Sequence, residues 1–510
     1  MNKKHVVLVF PACSTKVFAS NESNGVRQEK TIAPPLGILY LAAKLMEADY
    51  RVTAVDYNAE PFSSNAIERA IADADIVGVS IMSFNRDNAS AVIETINRSR
   101  PELPVIAGGP DLMLHPRVIP GTRLSCTHEA EEIIVEIVDA VLSGADLSSV
   151  RGIVFPGKGG VVAQGMPYEC ISDLDGVPFP RRELLRDNKG YSVIGKKTSR
   201  RITTIITSRG CPKRCSFCAH GAIAYQRYRS RGAENVLAEL REIARAGFKI
   251  VGVVDDNFTA DAARAAKILE GTRGLGLTLA VQGRVDADPR LFPLMKRAGV
   301  AVITFGLESG NQESLDFYKK DATIAMNRRA IELADRAGLY TGGLFIIGAP
   351  HEKIEHFENT YRFATSLPLD VTSFWVLDYT YGSELWTNAY AQGILRADEY
   401  NVPAGLERGT SPYSTRYLEQ ITQTMFFRFY RRPLYWLRQV KKFVRVRNGY
   451  FLRVLLAGAW WLMLRKIGLL WKKRANPMNI KVLKLLYNNL RWTKKRPLSV
   501  KVSNVYADIK

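Results

Sequence analysis

Ser208-Arg209-Gly210-Cys211-Pro212-Lys213-Arg214-Cys215-Ser216-Phe217-Cys218 carries three cysteines at a C-x3-C-x2-C spacing. Thiolates hold iron–sulfur clusters, ordinarily one per iron. Three cysteines on a four-iron cluster leave one iron open to bind and activate a small molecule. The competing reading is a structural zinc site, which closes with four ligands, usually in two separated pairs. His220, two residues beyond Cys218, would have to supply the fourth. One tight loop of three thiols fits the cluster better.

The surroundings of this loop point to a barrel-type α/β fold. A strand-like run at 201–207 leads into Arg209-Gly210, and a helical pattern starts near Arg231. The cysteines therefore stand at the carboxyl end of a strand, where such folds place their ligand loops. Downstream, strand patterns at 249–254, 277–282, 300–305, 340–347 and 371–377 alternate with helical ones such as 234–246, 261–272 and 324–337. With the cysteine strand this predicts six βα units. Polar residues gather just after these strands: Asp255-Asp256-Asn257, Gln282-Gly283-Arg284, Glu308-Ser309-Gly310 and Gly348-Ala349-Pro350. Buried acids are costly unless paired, so these clusters mark a polar cavity.

On the cysteine loop and these strand ends the chain resembles the radical S-adenosylmethionine (SAM) enzymes, whose open barrel has six βα units. The resemblance implies that Cys211, Cys215 and Cys218 bind a [4Fe-4S] cluster and that the methionine moiety of SAM chelates the fourth iron. One electron then cleaves the sulfonium to give a 5′-deoxyadenosyl radical. Phe217 matches the family's aromatic beside the adenine. Similar enzymes use D-D-N-F, R-x-D and G-x-E-S-G as nucleoside and methionine contacts. The SAM residues implied here are therefore Asp255, Asp256, Arg284, Glu308 and Ser309, with Arg284 near the carboxylate and Glu308 near the amino group or ribose.

The first 145 residues read as a separate doubly wound, Rossmann-like domain, with short apolar strands at 5–10, 51–56, 76–81 and 104–107 and helices at 37–48, 63–74 and 88–98. No G-x-G-x-x-G follows the first strand, so a nicotinamide site lacks support. Pro34-Pro35-Leu36-Gly37, Ser80-Ile81-Met82-Ser83 and Gly108-Gly109-Pro110 resemble the cobalamin-binding domain often fused ahead of a radical barrel. By that resemblance Pro35, Ser80, Ser83, Gly108 and Gly109 contact cobalamin. None of the six histidines stands two residues after an aspartate, so the D-x-H-x-x-G motif is absent and the expected cobalamin has no histidine on cobalt. His115 and His128 read as loop residues, and Cys13, Cys126 and Cys170 as structural.

The expected organisation is 1–145 cobalamin-type domain, 146–197 linker with hairpins and turns, 198–385 partial barrel, and 386–510 basic helical region. From 421 to 510 there are 22 lysines and arginines against one acid, Asp508, a net charge equal to the +21 of the whole chain. Such a block attends a polyanion. Interleaved apolar residues favour a membrane over nucleic acid: 450–474 is rich in tryptophan, yet only 454–464 is free of charge. That is short of the ~20 residues a spanning helix needs, so an interfacial helix on an anionic membrane surface is expected. The first apolar run is a short strand, so no secretory signal is expected. An oxygen-labile cluster and unpaired cysteines suit the cytoplasm, with peripheral attachment to the inner face of the membrane.

The expected activity is a cobalamin-dependent radical methylation of an unactivated carbon on a small-molecule or lipid, isoprenoid-like substrate. The resemblance implies that one SAM methylates cobalamin while a second yields the radical, with electrons from a flavodoxin or ferredoxin. The group includes a hopanoid methylase and the anaerobic cyclase of chlorophyll synthesis, which performs no net methylation, so a cyclase-like reaction is an alternative. A methylthiotransferase acting on tRNA is another, but those enzymes carry a second three-cysteine cluster in their first domain. Here that domain has only Cys13 and Cys126.

Overall fold

The computed structural model describes residues 3–13, 33–60, 62–185, 191–193, 196–197, 201–219, 222 and 227–446. Residues up to Tyr430 form one compact unit and those from Arg431 another.

The first sheet has seven strands in the order β2-β1-β3-β4-β5-β6-β7. They are β1 (His5–Phe10), β2 (Arg51–Asp56), β3 (Ile76–Ser80), β4 (Val105–Gly108), β5 (Leu124–Cys126), β6 (Ile153–Pro156) and β7 (Val162–Gln164). The first five are parallel, and β6 and β7 continue the sheet antiparallel. β1 is apolar and buried on both faces, as a strand covered on two sides must be. Val6 and Leu8 pack with α1 (Leu36–Glu47) and α5 (Ile134–Ser143). Val7 and Val9 pack on the other face with α2 (Ser64–Ile71) and α3 (Arg86–Ser99). The short α4 (Pro110–Leu114) follows β4. The expected doubly wound fold is present, and its sheet continues through β6 and β7 as far as Gln164.

The second sheet is parallel throughout, in the order β10-β13-β14-β15-β16-β17. It comprises β10 (Ile202–Ile205), β13 (Ile250–Val253), β14 (Thr278–Gly283), β15 (Val300–Glu308), β16 (Tyr340–Ile347) and β17 (Val371–Val376). Two-stranded ladders complete the strand numbering: β8 (Ser192–Val193) with β9 (Lys196–Lys197), β11 (Ser208–Arg209) with β12 (Arg229–Ser230), and β18 (Asp378–Thr380) with β19 (Asn401–Pro403). The helices are α6 (Ala233–Arg245), α7 (Ala262–Thr272), α8 (Leu291–Arg297), α9 (Gln312–Phe317), α10 (Ile324–Arg336), α11 (Ile354–Ser366), α12 (Glu384–Ala391) and α13 (Thr415–Tyr430). Asp261 and Thr323 cap α7 and α10 by accepting from backbone N–H groups one turn in. Six strands in sequence order are the predicted partial barrel.

Burial alternates along these strands. Leu279, Val281, Ile303, Phe305, Phe345 and Phe374 are buried on the helix-covered face. Gln282, Thr304, Leu344, Ile346 and Trp375 keep access to solvent on the other. Gly342 belongs to this second face, since a Cβ there would lie 2.8 Å from Thr304 Oγ1. The open face is thus polar at β14 and apolar at β16 and β17. The outer edge at β17 is closed by α13: the Tyr430 hydroxyl accepts from Thr372 N (2.8 Å) and donates to Thr372 O (3.0 Å). β15 runs three residues past its expected end, because a bulge between Gly306 and Glu308 carries it to Glu308.

The second unit is described over α14 (Pro433–Val446), whose Leu434, Leu437, Val440 and Val444 are exposed at helical spacing. No described helix is long and apolar enough to cross a membrane. The stretch 450–474, expected to lie on a membrane, falls outside the described residues, as does His220.

Candidate active site

The root of the cysteine loop is fixed by one carboxylate. Asp255, just past β13, is 1% exposed and accepts from Thr207 N (2.6 Å), Thr207 Oγ1 (2.5 Å) and Ser208 Oγ (2.7 Å). Burial pushes its carboxyl up even against those donors. Gly210 then turns the chain at φ +82, a left-handed conformation that glycine adopts freely. Cys218 N donates to Cys215 O at 3.1 Å, which closes a turn around Ser216 and Phe217. Ser216 is tied on three sides: its N–H to Tyr318 O (3.0 Å), its hydroxyl to Phe317 O (3.0 Å), and its carbonyl to Leu385 N (2.9 Å). Cys211, Cys215 and Cys218 form no disulfide and are partly exposed.

A buried cationic group faces this loop. Arg284, past β14, donates to Cys215 Sγ at 3.4 Å and to the carbonyl of Lys320, and its Nε is ion-paired with Asp286 Oδ1 at 3.4 Å. Burial works against its charge, and Cys215 and Asp286 outweigh that effect. Burial likewise raises the Cys211 thiol, opposed by Lys213 N–H and Arg284. Lys320 Nζ lies 2.6 Å from Glu308 Oε1 with both side chains buried, and 5.9 Å from the centre of the Phe217 ring. Glu308, Lys319 and Asp321 all have φ between +50 and +59. Non-glycine residues so held cost of order 1–3 kcal/mol each and cluster at working sites.

Five of the expected SAM-site side chains therefore fall into two groups. Phe217, Arg284 and Glu308 converge beside Cys215, joined by Lys320, which the sequence did not single out. Asp255 and Ser309 are engaged with the scaffold instead. Asp255 holds the loop root, and Ser309, fully buried, bonds Thr360 Oγ1 at 3.2 Å and accepts from Asn311 N. The sixth, Asp256, is partly exposed next to Asp255.

The first domain offers a second site at the carboxyl edge of its sheet, where the strand order reverses between β1 and β3. Open α/β sheets bind ligands at such a switch point. Pro35, Ser80, Ser83, Gly108 and Gly109 all lie at this edge and are partly exposed. A side chain at Gly109 would strike the Ile81 backbone, 2.5 Å from its carbonyl oxygen. Asn85, fully buried and not foreseen, holds the edge together: it accepts from Met82 N (2.8 Å) and donates to Ser80 O and Pro11 O (3.3 Å each). Burial pushes the Cys126 thiol up to about 11, as suits a structural cysteine. His115 packs between Tyr381 and Tyr400, and His128 bonds Thr127 Oγ1.

Residues 205–364 match the radical SAM superfamily, and residues 26–138 match the B12 binding domain. The chain carries a radical SAM domain together with a B12-binding domain. As a radical SAM enzyme with a B12-binding domain, its cofactors are a [4Fe-4S] cluster, SAM and cobalamin. An uncharacterized methyltransferase of Pyrococcus horikoshii is 28% identical over 82% of this chain and 92% of its own. The anaerobic magnesium-protoporphyrin IX monomethyl ester cyclase of Rubrivivax gelatinosus is 28% identical over 67% and 63%. The hopanoid C-3 methylase of Methylococcus capsulatus is 24% identical over 69% and 68%. Among solved structures, the radical SAM methyltransferase TsrM from Kitasatospora setae has the same fold, with TM-score 0.62 and 19% identity over 77% of this chain and 75% of that one.

The radical SAM site fits its cofactors. Among the described residues no three His, Cys, Asp or Glu side chains converge as ligands of a single metal ion. A four-iron cluster is wider than an ion and takes one thiolate per iron, so its cysteines stand around it rather than meet. Arg284, a buried guanidinium whose Nη1 donates to Cys215 Sγ, suits the negative charge of a thiolate-bound cluster and of a carboxylate bound to it. At the edge of the first sheet Gly109 packs directly on the Ile81 backbone with no room for a Cβ, and the partly exposed strand ends beside it stand at the switch point where open α/β sheets bind ligands.

Proposed function

We propose that this enzyme methylates an unactivated carbon of a hydrophobic substrate, a lipid or isoprenoid-like molecule. The observation that carries the substrate class is the open face of the barrel, where Leu344, Ile346 and Trp375 form an apolar wall opposite the polar Gln282. The hopanoid methylase among the relatives supports the same class. When bound, the cluster and SAM supply a carbon-centred radical, and cobalamin supplies a methyl donor. In the net reaction a C–H becomes C–CH3. Two SAM molecules become S-adenosylhomocysteine, methionine and 5′-deoxyadenosine, and two electrons enter from a donor such as flavodoxin or ferredoxin.

In this reading Cys211, Cys215 and Cys218 hold the cluster and Asp255 fixes the root of their loop. Arg284 faces the methionine carboxylate, Glu308 its amino group, and Phe217 the adenine, with Asp256 and Ser309 at the rim. Pro35, Ser80, Ser83, Gly108 and Gly109 face cobalamin. The basic tail, together with the exposed apolar residues of α14, holds the enzyme on an anionic membrane surface within reach of such a substrate.

The test is anaerobic incubation of the reconstituted enzyme with lipid extract from a deletion strain and SAM deuterated in its methyl group. A lipid that gains a deuterated methyl, together with 5′-deoxyadenosine, is expected. A lipid altered without gaining the label would replace methylation by cyclase-like chemistry. A label that enters tRNA instead would move the substrate to nucleic acid.

A further inference from the structure

Arg209 and Arg229 stand directly opposite each other across the β11–β12 ladder. Two like charges in that position repel, so the pair needs an anion. The anion comes from the first domain. Glu129, on the loop after β5, takes Arg229 in a two-pronged pair (Nη1 to Oε2, 2.7 Å; Nη2 to Oε1, 2.8 Å) and Arg209 at 3.0 Å. Glu131 takes the other side of Arg209 at 2.5 Å. The linker joins the same knot, with Ile171 N donating to Glu129 Oε2 at 3.1 Å and Ile171 O accepting from Arg229. Burial opposes the ionised form of Glu129, and Arg229 and Arg209 overcome it and hold its carboxyl below the usual range. The network is nearly closed to solvent, at 8% side-chain exposure for Glu129, Glu131 and Arg229 and 15% for Arg209. Arg209 is two residues ahead of Cys211.

We propose that Glu129 and Glu131 are positioning residues that lock the cobalamin-binding domain onto the root of the cluster loop through Arg209 and Arg229, fixing the separation of the two cofactors. None of the four touches a reacting atom. Their chemistry is that of a rigid joint: Arg–carboxylate forks carry directional as well as electrostatic restraint, and a two-pronged pair resists rotation where a surface contact would not. A joint is needed because the adenosyl radical and the cobalt must address one substrate carbon, and a misplacement of about 1 Å can cost on the order of a hundredfold in rate. This inference rests on the two-cofactor reading above.

The separation is measurable without any substrate. Reduced [4Fe-4S] and cob(II)alamin each carry an unpaired electron, and pulsed dipolar electron paramagnetic resonance reads the distance between them. The full chain, loaded with both, should give one narrow distance. Glu129→Gln and Glu131→Gln should keep full iron and cobalamin content and form 5′-deoxyadenosine as before, yet show a broadened or shifted distance. Glu132→Gln, in the same loop, where the carboxylate accepts from the Tyr168 hydroxyl at 2.9 Å, should leave it narrow. If Glu129→Gln does not fold, Glu131→Gln decides the matter, since it removes one of the two carboxylates on Arg209. An unchanged narrow distance in a loaded Glu131→Gln protein overturns the inference. Failure of the unmutated chain to retain cobalamin would instead overturn the two-cofactor reading, and the inference with it.

Discussion

Lys320 Nζ rests 2.6 Å from Glu308 Oε1, on a glutamate held at φ +59 beside the loop that carries Cys215. A buried lysine ammonium thus shares the carboxylate proposed to face the amino group of SAM. Glu308→Gln should weaken SAM binding at least tenfold, about 1.4 kcal/mol, read by equilibrium binding to the reconstituted protein. Because it also strands a buried ammonium, the single variant should be less stable than the Glu308→Gln, Lys320→Met double. Unchanged SAM affinity in the single variant would remove Glu308 from the site.

Glu239 of α6 is fully buried between Arg182 of the linker and Arg231, at 2.5 Å from each. Removing one member of a buried ionic group costs about 3–5 kcal/mol. Glu239→Ala should lower the unfolding free energy by that amount in denaturant titrations. A loss within experimental error would show that the two guanidiniums find other partners.

How far the sequence reveals such features depends on the range of the interaction. The cysteine loop, the alternation of strands and helices and the glycines at strand ends are local signals, and the six-stranded parallel sheet and the doubly wound first sheet follow them closely. Lys320 carried no local signal. It is one lysine in a run of two between helices, and only the close approach of that loop to Ser216 and Arg284 buries it. Glu129 and Glu131 likewise read as loop acids until the fold brings Arg209 and Arg229 to them across about 80 and 100 residues of chain. Asp255 and Ser309 show the converse: their motifs are visible, but the hydrogen bonds that turn them toward the scaffold are tertiary.

Asp111 sits buried between Arg86 and Arg117 (2.6 Å to Arg117). Burial alone would raise its carboxyl, but the two guanidiniums hold it below the usual range. Because the folded value lies below the unfolded one, its contribution is complete above the ordinary aspartate value of about 3.9 and fades as pH falls through the lower folded value. Asp111→Asn should therefore be less stable than the parent at neutral pH, with the gap closing below about pH 4. A gap that stays constant to low pH would contradict the assignment.

Anionic vesicles should bind the full chain at low salt and release it as ionic strength rises, since surface charge is screened beyond about 10 Å at 0.1 M. Neutralising Lys472, Lys473 and Arg474 together should weaken binding further, and so should replacing Leu434, Leu437, Val440 and Val444 with serine. Sedimentation reads both. A chain that stays in the supernatant at low salt yet binds tRNA would give the basic region to nucleic acid.

The central claim is that Cys211, Cys215 and Cys218 hold a cluster that cleaves SAM. The most direct measurement is 5′-deoxyadenosine formed from SAM by the anaerobically reconstituted chain under a strong reductant, compared with the Cys215→Ala protein. The unmutated chain should form it and the variant should form none. A Cys215→Ala protein that still forms 5′-deoxyadenosine, or a parent that holds a full cluster and forms none, would contradict it.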